Sequence, residues 1–225
     1  MTRPDPAPHF AAVAAAVAAP GQPGALFAAL EAGMRGAIGH RLFTILVADP
    51  EAGHSQRFYS NMPDAYPVGG RKPIAPTPWF ARVLGEGDCY VGRSYDDIRD
   101  VFYDHELIRS LGCESVLNVP VRWDGRSLGT LNLLHEAGFY SEADVATGRL
   151  FAALAVPGLL AVHRQGGSGA DAGPGGAGAP GGRLTAATRS ASRAAAVLAV
   201  RGPLGPPGRA GGAGQVGGGI PSGPA

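Results

Sequence analysis

Cys89 and Cys113 are the strongest nucleophiles in the chain. As a pair they offer thiol–disulfide chemistry, in which one thiolate attacks and a second thiol resolves the product. The competing role is that of a small buried hydrophobe, the usual fate of a cysteine entering a strand. Asp104-His105, with Tyr103 before it and Arg109 after it, is the densest polar cluster. An imidazole next to a carboxylate can serve as a general base. Adjacent residues on a helix point apart, however, so the two are not a dyad in themselves. They read instead as polar groups on a helix surface or a pocket lid. His40, His54, His105 and His135 lack the spacing of a metal site. Tyr59, Tyr66, Trp79 and Phe80 run through a proline-rich stretch. Aromatics on a loop above a sheet can close a pocket around an organic molecule. Gly69-Gly70-Arg71-Lys72 reads as a solvated turn, with contact to an anion as the alternative.

These residues need a frame. Leu26, Phe27, Leu30, Met34 and Ile38 fall three to four apart, which predicts a helix with one apolar face. Arg41 to Asp49 reads as a central strand, and Gln56 to Asn61 as a second. Pro63 to Pro78 reads as a long ordered loop. Thr77-Pro78-Trp79 reads as an N-cap with proline at the first helical position. A short strand is expected at Cys89 to Val91, then helical pieces from Tyr95 to Leu111. Two β-rich runs flank Asp124-Gly125, the dipeptide that suits a two-residue hairpin turn. Ser141, three residues before Asp144, caps a final helix from Val145 to Val162.

Composition sets the outer limits. The 225 residues carry a formal net charge of +1, so no long-range field recruits nucleic acid or an anionic membrane. No run reads as a membrane span. Phe10 to Ala19 lacks the basic start and leucine-rich core of a signal peptide. Two cysteines do not make a disulfide framework, and a cytoplasmic location is expected. Residues 1–24 read as a low-complexity lead outside the core, with room for one short helix at Phe10 to Ala19, and 25–163 as the folded domain. Residues 164–225 read as a disordered tail rich in Gly, Ala, Pro and Arg.

The domain resembles a GAF domain. The resemblance rests on Ile108-Arg109-Ser110-Leu111-Gly112, on Ser115 with Val119-Pro120-Val121, and on Gly125. It continues in Leu128-Gly129-Thr130-Leu131-Asn132-Leu133 and in Phe139 with Ser141 and Asp144. It implies an α+β fold, an antiparallel sheet with a helical pair on one face and loops and short helices over the other. It also implies a non-catalytic sensory module that binds a small molecule, and a parallel homodimer through the terminal helices. The resemblance names neither a ligand nor a cofactor. Some stand-alone GAF proteins are free methionine sulfoxide reductases. Their catalytic cysteine aligns near Arg109 rather than Cys113, and their other cysteines near Pro76 to Trp79, where this chain has none. That enzyme and a ligand-free dimerisation scaffold stand as alternatives.

A two-residue turn at Asp124-Gly125 pairs Trp123 with Arg126. Counting back without interruption sets Val119 opposite Thr130, Leu117 opposite Asn132 and Ser115 opposite Leu134. Ser115, Thr130 and Asn132 then share one face with aliphatic side chains, the mixture expected of a ligand pocket. The helical pair falls on the face of Leu131 and Leu133, which this count shares with Val116 and Asn118. The expected ligand contacts are Ser115, Thr130 and Asn132 from the sheet, Tyr59 and Trp79 from the loop, and His105 and Arg109 from the lid.

Overall fold

A computed structural model describes residues 3–49, 53–69 and 71–167 of the chain. Among them, six strands form one antiparallel sheet: β1 (Leu42–Asp49), β2 (His54–Ser60), β3 (Arg71–Pro73), β4 (Tyr90–Gly92), β5 (Ser115–Trp123) and β6 (Arg126–His135). Their spatial order is β3-β2-β1-β6-β5-β4. The long central strands β1, β5 and β6 are apolar on both faces because both faces are covered.

One face carries the helices. Helix α1 (Ala7–Val17), helix α2 (Gly24–Ala37) and helix α6 (Val145–Gly167) form one core with Phe43, Ile45, Leu117, Val119, Leu131 and Leu133. The spacing of Leu26, Phe27, Leu30 and Met34 turns a single stripe of α2 into that core. Ser141 and Asp144 make the expected capping box, and Asp144 also accepts from Arg3 Nε at 2.7 Å. Pro157 lies inside α6 without ending it.

The expectation that residues 1–24 lie outside the core is corrected. Val13 is fully buried, and the Phe10 ring packs 4.6 Å from that of Phe151. Phe10, Val13 and Val17 line one side of an alanine-rich helix. It nestles against glycines of α2, where a Cβ on Gly36 would collide with His9. The expectation that no run reads as a span also needs correction. Glu142–Gln165 is long and apolar enough to cross a bilayer by length and composition. Here Phe151, Ala155 and Leu159 of this stretch are fully buried in the core. The tail expected over 164–225 lies outside the described residues from 168 onward, and 164–167 complete α6.

The opposite face is covered by shorter pieces. Helix α3 (Pro78–Phe80) starts at Thr77, whose side chain accepts from Phe80 N at 3.1 Å. It continues as a π-helical turn, Ala81–Glu86. Helices α4 (Tyr95–Val101) and α5 (His105–Ser110) follow. Under them Leu42, Val116 and Leu134 meet Tyr66, Ile98, Ile108 and Cys113 in a second, smaller core.

Two strand irregularities set which side chains face which way. Asp124 (φ 48°) and Gly125 (φ 72°) make the expected turn, and Trp123 pairs with Arg126. The register then slips by one. Arg122 pairs with Ser127 but Val121 pairs with Gly129, leaving Leu128 as the extra residue. Beyond the bulge Asn118 opposes Asn132, Val119 opposes Leu131, Leu117 opposes Leu133 and Ser115 opposes His135. The uninterrupted count is therefore corrected for β5. Leu117 and Val119 face the helices, while Val116 and Asn118 face the other way. Gly129 is required here, since a Cβ on it would sit 2.0 Å from the Leu46 carbonyl oxygen. A second bulge lies in β2, where Ile45 pairs with Tyr59 and Leu46 with Arg57, passing over Phe58.

Candidate functional site

Between the second face of the sheet and its cover lies a cavity of about 550 Å3, within the roughly 300–1,000 Å3 of ordinary small-molecule sites. The sheet supplies its floor through Thr44, Leu46, Ser55, Arg57, Asn118 and Asn132. Trp79, Phe80 and Leu84 close one side, and Phe102, Tyr103 and Ile108 another. Trp79 and Phe102 meet edge to face, with centroids 6.2 Å apart.

Four side chains from four elements form a hydrogen-bonded line along the floor. Trp79 Nε1 donates to Asn118 Oδ1 at 3.0 Å. Asn118 Nδ2 donates to Asn132 Oδ1 at 2.7 Å. Asn132 Nδ2 donates to Thr44 Oγ1 at 3.2 Å. Buried amides need such partners, and here they find them in one another. At the other end, the Arg57 guanidinium lies 3.7 Å from the centroid of the Tyr66 ring and donates from Nη1 to Pro67 O at 2.6 Å. Tyr66 Oη donates to Asp104 Oδ2 at 2.7 Å. Burial, then the charge of Asp104, pushes the Tyr66 phenol far above its ordinary value, so it stays protonated and donating.

Of the expected contacts, Trp79 and Asn132 line the cavity. Thr130 lies on the cavity side of β6 but outside the lining, and its buried Oγ1 has no hydrogen-bond partner among the described residues. Ser115 is buried at the start of β5, where its hydroxyl donates to Glu136 O at 2.6 Å. His105 and Arg109 belong to the covering helix α5 but turn away from the cavity, which α5 reaches through Ile108. His105 Nδ1 is 2.7 Å from Tyr95 Oη, and Arg109 pairs with Glu114 at 3.2 Å. Tyr59 faces the helical core, with ring centroids 6.4 Å from Phe27 and 5.9 Å from Phe43. The bulge at Phe58 puts it there and leaves Arg57 on the cavity side. Arg57 and Asn118 are the contacts that sequence reasoning passed over, while Tyr66, expected among the loop aromatics, does line the cavity.

Both cysteines are buried and free. Cys89 sits in the helical core and Cys113 in the smaller one. Burial raises the thiol of Cys89 and pushes that of Cys113 up to about 11. Reactive thiols sit in environments that lower this value, so neither is poised to attack.

A twisted antiparallel sheet with a helical layer behind and a roofed, mostly apolar cavity in front defines a class of small α+β domain. The family comparison makes this specific: residues 25–159 match the GAF domain, and the chain belongs to that family. No curated protein matches the sequence. Among solved structures, the GAF domain of a phosphoenolpyruvate-protein phosphotransferase from Acinetobacter is similar with a TM-score of 0.58 at 12% identity, covering 72% of this chain and 97% of that one. The corresponding domain from Coxiella burnetii gives 0.57 at 13% identity, over 72% and 96%. The free methionine-R-sulfoxide reductase from Neisseria meningitidis, solved with its substrate, gives 0.52 at 18% identity, over 73% and 96%. At these identities the likeness is one of fold.

Proposed function

We propose that this GAF domain is a non-catalytic sensor that binds a small organic molecule in the cavity between the sheet and the α3–α5 cover. The observation that carries the reading is the line from Trp79 through Asn118 and Asn132 to Thr44 along the floor of a largely apolar chamber. A few fixed polar groups among hydrocarbon and aromatic walls give a ligand orientation as well as affinity. The reductase alternative is disfavoured by two thiols held protonated in separate cores. A cytoplasmic setting and a parallel homodimer through α2 and α6 complete the proposal, and light scattering tests the dimer. The test of function is a thermal-shift screen of the full chain against a broad metabolite library, since a ligand of the native state must raise its melting temperature. Hits that disappear in Trp79→Ala support a sensor. A library without a Trp79-dependent hit sinks it in favour of a ligand-free scaffold. Turnover of methionine sulfoxide that is lost on replacing Cys89 and Cys113 by Ser returns the enzyme.

A further inference from the structure

One residue fixes the direction of every hydrogen bond along the cavity floor. The indole N–H of Trp79 can only donate, so the Asn118 atom facing it at 3.0 Å is the amide oxygen. Asn118 must then turn its nitrogen to Asn132, whose oxygen accepts at 2.7 Å. Asn132 has its nitrogen left for Thr44, at 3.2 Å. Each amide oxygen is thus engaged. One N–H on each amide and the O–H of Thr44 remain beyond these bonds, and all are donors.

The charged side chains that line the cavity have one sign. Arg57 and Arg71 are the charged side chains among the described residues that line it, with no carboxylate among them. Arg57 is buried and held flat against Tyr66, so its fork is pre-organised. Asp104, behind Tyr66 and outside the lining, pairs with Arg57 Nη2 at 4.0 Å and accepts from Tyr66 Oη at 2.7 Å, so Arg57 keeps hydrogen-bonding capacity for a ligand. Arg71, on β3 opposite Gln56, also lines the cavity, and its Nε donates to Gln56 Oε1 at 3.2 Å.

We propose that the ligand is an organic acid, with its carboxylate toward Arg57 and Arg71 and an apolar, ring-sized body against Trp79, Phe80 and Phe102. The inference rests on the reading of this cavity as a small-molecule site. A floor with free donors and guanidinium groups repels an ammonium and gives a carboxylate several charge-assisted bonds. A neutral amide makes some of those bonds without the charge.

The experiment measures binding of matched probes to the full chain by calorimetry and ligand-observed NMR. Phenylacetate and indole-3-acetate form the acid arm, their carboxamides the neutral arm, and phenethylamine and tryptamine the cationic arm. The acids should bind at least about tenfold more tightly than their amides. Arg57→Gln should remove about tenfold from the acids while changing the amides less than roughly threefold. Arg71→Gln, at an exposed position, should weaken the acids in the same selective way and guards against an Arg57 variant that fails to fold. Amides or amines that bind as tightly as the acids, with loss in Trp79→Ala, overturn the organic-acid proposal and leave the sensor reading intact. Acid binding insensitive to both arginines overturns it as well. Silence in all three arms overturns it too, and the broad library screen then decides the sensor reading separately.

Discussion

Replacing Asn132 by Leu tests whether the Trp79–Asn118–Asn132–Thr44 line is a structural unit as well as a binding surface. The change deletes two hydrogen bonds, at 2.7 and 3.2 Å, worth about 1 kcal/mol each. It also leaves the amide nitrogen of Asn118, a fully buried residue, without its partner, a penalty of about 1–3 kcal/mol. The apolar surface of the new leucine returns about 1 kcal/mol. The expected net loss is about 3 kcal/mol, or roughly 6–12 °C in melting temperature for a domain of this size. Asn118→Leu should cost a similar amount, because it removes the Trp79 bond and the same Asn118–Asn132 bond. The double variant loses that shared bond once and strands neither amide. Its cost should fall short of the sum of the singles by about 3 kcal/mol, the shared bond plus the two stranded-amide penalties. Urea unfolding followed by far-ultraviolet circular dichroism, with unchanged m-values, gives all three numbers. Additivity within about 0.5 kcal/mol would refute the coupled line, and an Asn132→Leu protein as stable as the parent would show that the floor contributes nothing to the fold.

Four further expectations follow from the packing. Gly129→Ala places a methyl on the Leu46 carbonyl and should cost about 3 kcal/mol or more by prying β6 from β1, read as a collapse of the thermal transition. Removing residues 1–17 uncovers the Val13 and Phe10 contacts and should lower stability by about 3 kcal/mol, read in urea; an unchanged midpoint would mean that α1 is dispensable. Burial holds the His40 imidazole below its ordinary value of 6.5, so the unfolded chain binds the proton first as pH falls. Stability is therefore lost on going from about pH 7.5 down through 6.5, and His40→Phe should flatten that slope in urea midpoints. Cys89 and Cys113 should react with a disulfide reagent at neutral pH only when denaturant opens the fold, because burial keeps both thiols protonated; rapid labelling of the native protein would contradict this.

Where the chemistry is local, the sequence was a sufficient guide. Asp124-Gly125 turns as its dipeptide demands, Thr77 caps the helix that Pro78 opens, and Ser141 with Asp144 forms the box that starts the last helix. The apolar stripe of α2 and the two-sided burial of the central strands follow from periodicity alone. For α1, local signals allowed a short helix but not its place in the core. An alanine-rich segment looks like a low-complexity lead until the glycines of α2 that receive it are seen beside it. That contact joins residues far apart in the chain, and no window around Phe10 contains it.

The site was harder to read because two single-residue bulges decide its membership. In β2 a regular alternation would put Arg57 and Tyr59 on one face. The extra residue, Phe58, sends the tyrosine to the helical core and the arginine to the cavity. In β6 the extra residue, Leu128, exchanges the faces of β5, so that Asn118 replaces Val119 and Leu117 at the floor. Hydrophobic patterning could not expose the slip, because Val116, Leu117 and Val119 are welcome on either face of a sheet covered on both sides. A physical signal was nevertheless present. Asn118 and Asn132 are the two amides buried in central strands, and each can supply the other with a partner at that depth. Setting them opposite one another requires one extra residue between the turn and Asn132. An isolated glycine inside a strand marks such a bulge or a close backbone approach, and Gly129 follows Leu128 directly, with the Leu46 carbonyl against it. Demanding partners for the buried amides, rather than counting from the turn, fixes the register and with it the floor of the cavity.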